Sequence, residues 1–258
     1  IGEYLKNLKS DLKINNLGGL HKIKHKNHFI LIDVNKPPEK KFSKSYQSGP
    51  LSFEYFLDGI KIVTNSGFGK LISKKAELLS RFTACQSTLT INDTSITKFE
   101  KNEMINKVFG NSIQNSFKSF DFSPKNEANI VGCSISNNGY EKRFGCIHKR
   151  EIYVDKENNN LKGTDYIFKS KDGYPIRYAF RFHINPELGV VKTMSGNSAL
   201  IQISKNKSLL FTVKDENLEI EKSIFLGKKK IIDSACITIS GNLVNKNKTL
   251  NWVIRKNI

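Results

Sequence analysis

The residues with the clearest chemical potential lie in RFGCIHKREIYV, residues 143–154. Strand alternation puts Phe144, Cys146, His148, Arg150 and Ile152 on one face and Gly145, Ile147, Lys149, Glu151 and Tyr153 on the other. A histidine can move a proton near neutral pH, and an arginine can hold a carboxylate through two parallel hydrogen bonds. His148 and Arg150 on a shared face could therefore handle an acidic substrate. The structural alternative is a half-buried histidine hydrogen-bonded into a sheet. His21, His25 and His28 form a second cluster, and neutral imidazoles can bind a metal ion. His25 and His28 flank a hairpin turn, however, and no nearby Cys, Asp or Glu completes a first shell, so exposed turn histidines are expected there. His183 ends a strand shortly before Pro186 and reads as structural.

The elements that must carry these residues are strands. LHKIKH and HFILIDV flank Lys26 and Asn27 as a hairpin, and the proline pair in NKPPEKKFSKS marks a loop. Further strand patterns are LSFEYF, GIKIVTN, STLTIND, ANIVGCSIS, RFGCIHKREIYV, DYIFKS, IRYAFRFHI, SALIQIS, LLFTVK, EIEKSIFLG, SACITIS and TLNWVIR, many separated by turn formers such as NNG, KDG and ENNN. SKKAELLSRF reads as an internal helix, and MINKVFGNSIQNSF as a short helix or an irregular excursion. About a dozen short strands with regular turns predict an all-β fold, a large antiparallel β-sandwich of supersandwich type with one or two short helices. Residues 1–13, with Tyr4, Leu5, Leu8 and Leu12 near helical spacing, read as the tail of an upstream helical domain; residues 14–258 form the β domain.

Composition narrows the partners. The 42 Lys and Arg against 24 Asp and Glu give a formal charge of +18, which draws polyanions, although Lys, Asn and Ile are abundant throughout the chain. Cys85, Cys133, Cys146 and Cys236 lack metal-type spacing and are too few for a disulfide scaffold, so buried thiols are expected. No stretch resembles a signal or a membrane span, and the chain begins with Ile, so a true N-terminus further upstream is expected. Nucleotide-binding glycine loops, GxSxG elbows, HExxH pairs and zinc-ribbon spacings are absent. Aromatics do not interleave with basic residues as on a nucleic-acid-binding sheet, which makes nucleic acid a weak partner class.

Several segments, in order, resemble the C-terminal β-sandwich of the heparinase II/III family of polysaccharide lyases. They are GPLSFEYFLDGIKIVTNSG, RFTACQSTLTINDT, NNGYEKRFGCIHKREIYV, LKGTDYIF, YAFRFHINP, SIFLG and TLNWVIR. The resemblance implies an (α/α) toroid upstream, with an acidic polysaccharide lying between toroid and sandwich, and a periplasmic or cell-envelope location. It also implies β-elimination at a uronic acid: a base takes the proton next to the carboxylate, polar groups stabilise the developing charge, and an acid protonates the leaving oxygen. The toroid usually supplies the catalytic tyrosine and histidine.

Departures from the family pattern are specific. Ser45, Tyr46 and Gln47 stand where many members have an HxH segment, Asn65 where metal-binding members have an aspartate, and Gln86 where AHNT or AHST has its histidine. Asn137 replaces the histidine of an HDGY-like motif. By resemblance Gln47, Asn65 and Gln86 occupy the ligand positions of the family's structural zinc. Amides are poor zinc ligands, so no metal and no other cofactor is expected; the same amides could cross-link strands or contact sugar hydroxyls. The residues expected to face substrate are His148 and Arg150 as catalytic groups, with Gln47, Gln86, Asn137, Tyr140 and Arg143 as binding groups. The competing reading is a non-catalytic carbohydrate-binding or structural module.

Overall fold

The computed structural model describes residues 16–170, 175–244 and 247–257. The expected helical tail over residues 1–13 lies outside the described residues. Within them the strands are β1 (Asn16–Leu17), β2 (Leu20–His25), β3 (His28–Asp33), β4 (Phe53–Leu57), β5 (Ile60–Thr64), β6 (Leu89–Ile91), β7 (Ser119–Asn126), β8 (Ile130–Tyr140) and β9 (Cys146–Asp155). They continue as β10 (Asn160–Lys169), β11 (Ile176–Ile184), β12 (Gly189–Lys192), β13 (Ser198–Ser204), β14 (Lys207–Val213), β15 (Glu219–Lys228), β16 (Lys230–Leu243) and β17 (Lys248–Asn257). One sheet runs β1-β2-β3-β4-β5-β11-β16-β15, with β6 also pairing β11; the other runs β12-β13-β14-β17-β10-β9-β8-β7. The chain changes sheet repeatedly, so each sheet is completed by strands from separate stretches of sequence.

Two short helices sit where the sequence predicts them. Helix α1 (Lys74–Ser80) begins where the Ser73 hydroxyl accepts from the Ala76 N–H, and α2 (Glu103–Phe109) where Asn102 accepts from Met104 and Ile105. The NNG triplet, expected as a turn, instead runs inside β8 through a register shift against β9, and the reversal comes later. It is made by a single helical turn, α3 (Glu141–Phe144), ended by Gly145 at φ 63°. The edge strands β7 and β12 escaped the sequence reading because they are short of buried apolar residues, and β7 carries Pro124, which only an edge tolerates.

The core lies between the sheets. Phe53 and Phe182 from one sheet meet Phe211 and Trp252 from the other, with the Phe53 and Trp252 rings stacked 5.6 Å apart at 7°. Trp252 fits because its cross-strand neighbour is Gly163: a Cβ there would lie 2.1 Å from the indole.

Among these rings lies a buried polar network. Asp165 on β10 accepts from Arg150 Nε at 2.7 Å, Arg150 Nη2 at 3.2 Å, His148 Nε2 at 2.7 Å and Trp252 Nε1 at 2.9 Å. Arg150 Nη1 crosses to the other sheet's connections and donates to the carbonyls of Leu51 at 2.7 Å and Ser87 at 2.8 Å. Every oxygen and guanidinium nitrogen named here has a partner, which is what a buried ion pair requires. Burial alone would raise the Asp165 carboxyl, but Arg150 and then His148 hold it below the usual carboxylate range. Burial pushes His148 down, so the ring is neutral and donates through Nε2.

Asp165→Ala should cost about 3–5 kcal/mol in urea unfolding, because it leaves the Arg150 charge buried and unpaired. Removing both charges with Arg150→Met and Asp165→Leu should cost less than the sum of the single changes.

Candidate functional site

Two adjoining cavities open beside β3. A groove of about 930 Å³ is walled by the β1–β2 turn, the loop after β3 and residues 113–118, and a smaller cavity of about 290 Å³ lies behind it. Leu20 and Asp33 line both.

Gln47, Asn65 and Gln86, far apart in sequence, all line the smaller cavity, together with Asp33, Ser52 and Glu54. Each is held by a separate device. Gln47 sits in a loop fixed by the buried Arg81, which donates from Nε to the Tyr46 carbonyl and from Nη2 to the Ser43 carbonyl, both at 2.9 Å. Burial lowers the Arg81 pKa to about 10, still charged at neutral pH, and its guanidinium lies 4.3 Å from the Phe99 ring centroid. Ser48 ties the same loop to Thr83 and to the Thr97 N–H. Asn65 Oδ1 accepts from the Ser87 N–H at 2.8 Å, and Gln86 Nε2 donates to the Ser80 carbonyl at 2.9 Å.

These contacts decide the metal question on chemical grounds. The Asn65 oxygen is already engaged, the Gln86 nitrogen is a donor, and neutral amides bind zinc weakly beside imidazole or thiolate. Among the described residues no three His, Cys, Asp or Glu side chains gather as a metal centre. The three amides that the resemblance sets at zinc-ligand positions do not fit zinc. Asn65 and Gln86 act as hydrogen-bonded struts that join the start of the 65–69 loop, α1 and the strand-linking segment 86–88.

The other expected site residues are placed elsewhere. His148 is 3% exposed and Arg150 fully buried, so the face they share is the core face, closed by the second sheet. Alternation identified that face correctly, but not what covers it. Asn137 is buried, with Oδ1 accepting from the Gly139 N–H at 2.8 Å and Nδ2 donating to Ser119 Oγ at 3.2 Å. Tyr140 donates to the Thr94 carbonyl at 2.8 Å, and Arg143 Nη2 to the carbonyls of Ser95 at 2.6 Å and Ile96 at 3.1 Å. Together they latch α3 and the end of β8 onto residues 94–96; none lines either cavity.

The groove contains groups that sequence reasoning passed over. Asp33 ends β3, where its backbone bonds Ser52 and Leu51 and its Oδ1 accepts from the Asn35 N–H at 2.9 Å. Burial pushes its carboxyl up to about 7. The Tyr46 hydroxyl is buried without a hydrogen-bond partner, and burial, then the Asp33 charge, push its phenol well up. Lys36, Lys40, Lys118, Glu39, Gln114 and Asn138 also line the groove, with Lys40 and Gln114 bonded to Glu100 and Asn138 to Glu141. An unremarkable Asp at a strand end carries no sequence signal of a raised pKa; its chemistry comes from burial.

The family model described as heparinase II/III-like, C-terminal, matches residues 9–253. No curated protein sequence matches the chain. Among solved structures, a heparan sulfate lyase, HepC, from Pedobacter heparinus superposes with a TM-score of 0.72 at 12% identity, covering 94% of this chain and 35% of that one. A heparinase III structure gives 0.66 at 15% identity, covering 92% and 35%. At such identities the likeness concerns the fold. The chain spans about a third of the length of these structures.

The amide cavity should be convertible to a metal site. The triple variant Gln47→His, Asn65→Asp, Gln86→His should bind one equivalent of zinc more than the parent, read by metal analysis after dialysis. Asp33 gives a pH test. Its value of about 7 in the folded state lies above the ordinary 3.8, so the native state holds the extra proton and stability falls as pH rises between these values. Asp33→Asn should flatten that slope and gain about 1–2 kcal/mol at pH 8, measured by urea unfolding.

Proposed function

Because the chain belongs to the heparinase II/III-like C-terminal family, we propose that it is the β-sandwich part of a polysaccharide lyase. It forms one wall of a groove for an acidic, uronate-containing glycan cleaved by β-elimination. The observation that carries this reading is the groove beside β3, which combines Lys36, Lys40 and Lys118 with amides, Asp33 and the Tyr46 phenol. Lysines offset the polyanion's charge, and amides match sugar hydroxyls.

In the reaction, the acid–base groups must stand on both sides of the uronate. Asp33, near neutral in its tendency to titrate, can take or return a proton at the groove wall. Tyr46 keeps its proton and can donate a hydrogen bond to the carboxylate or to the departing oxygen. Groups on an upstream toroid would face them, with a periplasmic or envelope setting for the whole enzyme. Among the described residues no helix is long and apolar enough to cross a membrane. Arg150 and His148 contribute by positioning: Arg150 holds the Leu51 and Ser87 carbonyls, which adjoin the cavity residues Ser52 and Gln86.

A non-catalytic glycan-binding module is the second reading. It is favoured by the engagement of Asn137, Tyr140, Arg143, His148 and Arg150 in bonds that hold the fold.

Full-length protein incubated with heparan sulfate, hyaluronan, alginate and other uronate polymers should generate unsaturated products absorbing in the ultraviolet. Saturable glycan binding without that absorbance would support the module instead. Affinity that follows only salt and polymer charge, equal for DNA, would defeat both.

A further inference from the structure

His28, expected at an exposed turn, is 2% exposed, and its Nδ1 lies 3.0 Å from the Tyr55 hydroxyl. The outer face of the second sheet shows the converse. There, polar side chains from the neighbouring strands β14, β17, β10 and β9 border a pocket of about 390 Å³, rimmed by the exposed Lys214, Asp215 and Asn251. It shares no residue with the two cavities beside β3.

Pairing across the sheet builds this pocket. Thr212 on β14 stands opposite Val253 on β17, Val253 opposite Lys162 on β10, and Lys162 opposite Tyr153 on β9. Directly paired residues project from one face, and each of these four is half-buried between sequence neighbours that are buried. Val213 and Trp252 turn inward and Gly163 has no side chain, so the pocket's floor is backbone. A second row, two residues along, pairs Asn251 with Thr164, whose Oγ1 donates to Asn251 Oδ1 at 3.0 Å. Asn197 is fixed in the same manner, its Oδ1 accepting from the Ser195 and Ser198 hydroxyls at 2.8 and 3.1 Å. Both amides therefore keep Nδ2 unengaged among the described residues. The Tyr153 hydroxyl, the Lys214 ammonium and the Asp215 carboxylate are also without a side-chain partner there. Lys214 is held by its backbone, whose N–H bonds the Asn251 carbonyl at 3.0 Å, and Asp215 turns the chain away at φ 57°.

Charge selects the class of ligand. Lys162 is paired with Asp155 at 2.7 Å, Lys149 with Glu151 at 2.7 Å on the adjoining rows, and Lys214 is offset by Asp215. The pocket thus has no net charge to draw a polyanion, although the whole chain stands at +18. Its open groups are two amide donors, an ammonium, a carboxylate acceptor and a phenol that can do both. Adjacent hydroxyls require such a mixture, because each donates one bond and accepts others. The apolar body of the tyrosine suits the C–H face of a sugar ring. The volume falls in the range of about 300–1,000 Å³ usual for small-ligand sites.

We propose that this pocket is a second glycan site, which takes a neutral pyranose unit of a polysaccharide lying across β9, β10, β17 and β14. Tyr153 supports the ring, Asn197 and Asn251 donate to hydroxyl oxygens, and Asp215 accepts from hydroxyls. With so shallow a floor, affinity is modest. A weak hold here keeps a polymer on the protein between encounters at the groove; that consequence rests on the lyase reading, whereas the site does not.

The test titrates full-length protein with neutral gluco-, xylo-, manno- and galacto-hexaoses by calorimetry, at low and high salt. At least one should bind with a stoichiometry of one, unaffected by salt. Tyr153→Ala and Asn251→Ala should each weaken it about tenfold. Both side chains lie on the outer face, so the variants should fold, which melting curves check; Asn197→Ala serves as a further variant. Binding of neutral hexaoses is read apart from cleavage of uronate polymers, so either reading can fail alone. No saturable binding by any of the four sugars, or binding unchanged in the Tyr153→Ala, Asn251→Ala double variant, would overturn the site. Binding that weakens steeply with salt and favours uronate polymers would overturn it too.

Discussion

One buried charge, the Arg150 guanidinium, constrains the rest of this sandwich. Left alone in the core it would cost several kcal/mol, and the molecule is arranged to prevent that. Asp165, directly opposite on the neighbouring strand, takes two of its N–H groups. The carbonyls of Leu51 and Ser87 take the third nitrogen. Those carbonyls come from irregular segments rather than strands, so the guanidinium fixes loops that have few ladder bonds of their own. Leu51 is held at φ 61°, costly for a branched side chain, where its N–H can bond Asp33 and its carbonyl can face Arg150. The network also orients Trp252 through its indole N–H, and that orientation in turn requires a glycine at position 163.

This core arrangement sets the walls of the polar cavity. Ser87 follows Gln86, and its N–H bonds the Asn65 side chain, while Leu51 precedes Ser52. The cavity's struts are therefore referred back to one ion pair inside the sandwich. Hydrogen bonds of Asn65 and Gln86 and the Arg150 anchor hold these segments together. Asp33 is shifted upward by burial, which the Asn35 N–H at its carboxylate offsets only in part.

Much of the architecture was legible in the chain. Alternation found most strands of both sheets, the β2–β3 hairpin and both larger helices, and it put His148 and Arg150 on one face. It could not distinguish a core face from a substrate face, because the residue that neutralises them, Asp165, lies in a different strand pattern, DYIFKS. Polar residues on an inward face look functional until their partner is known. The amide trio was singled out only through family resemblance; in the structure the three side chains line one cavity. Asp33 left no trace, since neither type nor spacing encodes a carboxyl made weak by burial, and Tyr46 was noted only as a departure from the HxH segment. The edge strands β7 and β12 were invisible for the opposite reason: they bury too little to be patterned.

The separation of anchored and available groups follows from these facts. Polar side chains that face inward, Arg150, His148, Tyr140 and Asn137, are saturated by partners within the domain, because a buried group without them is costly. At the groove the bonding is less complete: Lys40 and Gln114 are tied to Glu100 and Asn138 to Glu141, while the Tyr46 hydroxyl has no partner. An arginine that donates four hydrogen bonds to its own fold has no geometry left for a further carboxylate. In this sandwich the arginines Arg81, Arg143 and Arg150 build the frame through planar, multidentate bonds to backbone carbonyls and to Asp165, while lysines such as Lys40, Lys162 and Lys207 form single ion pairs nearer the surface.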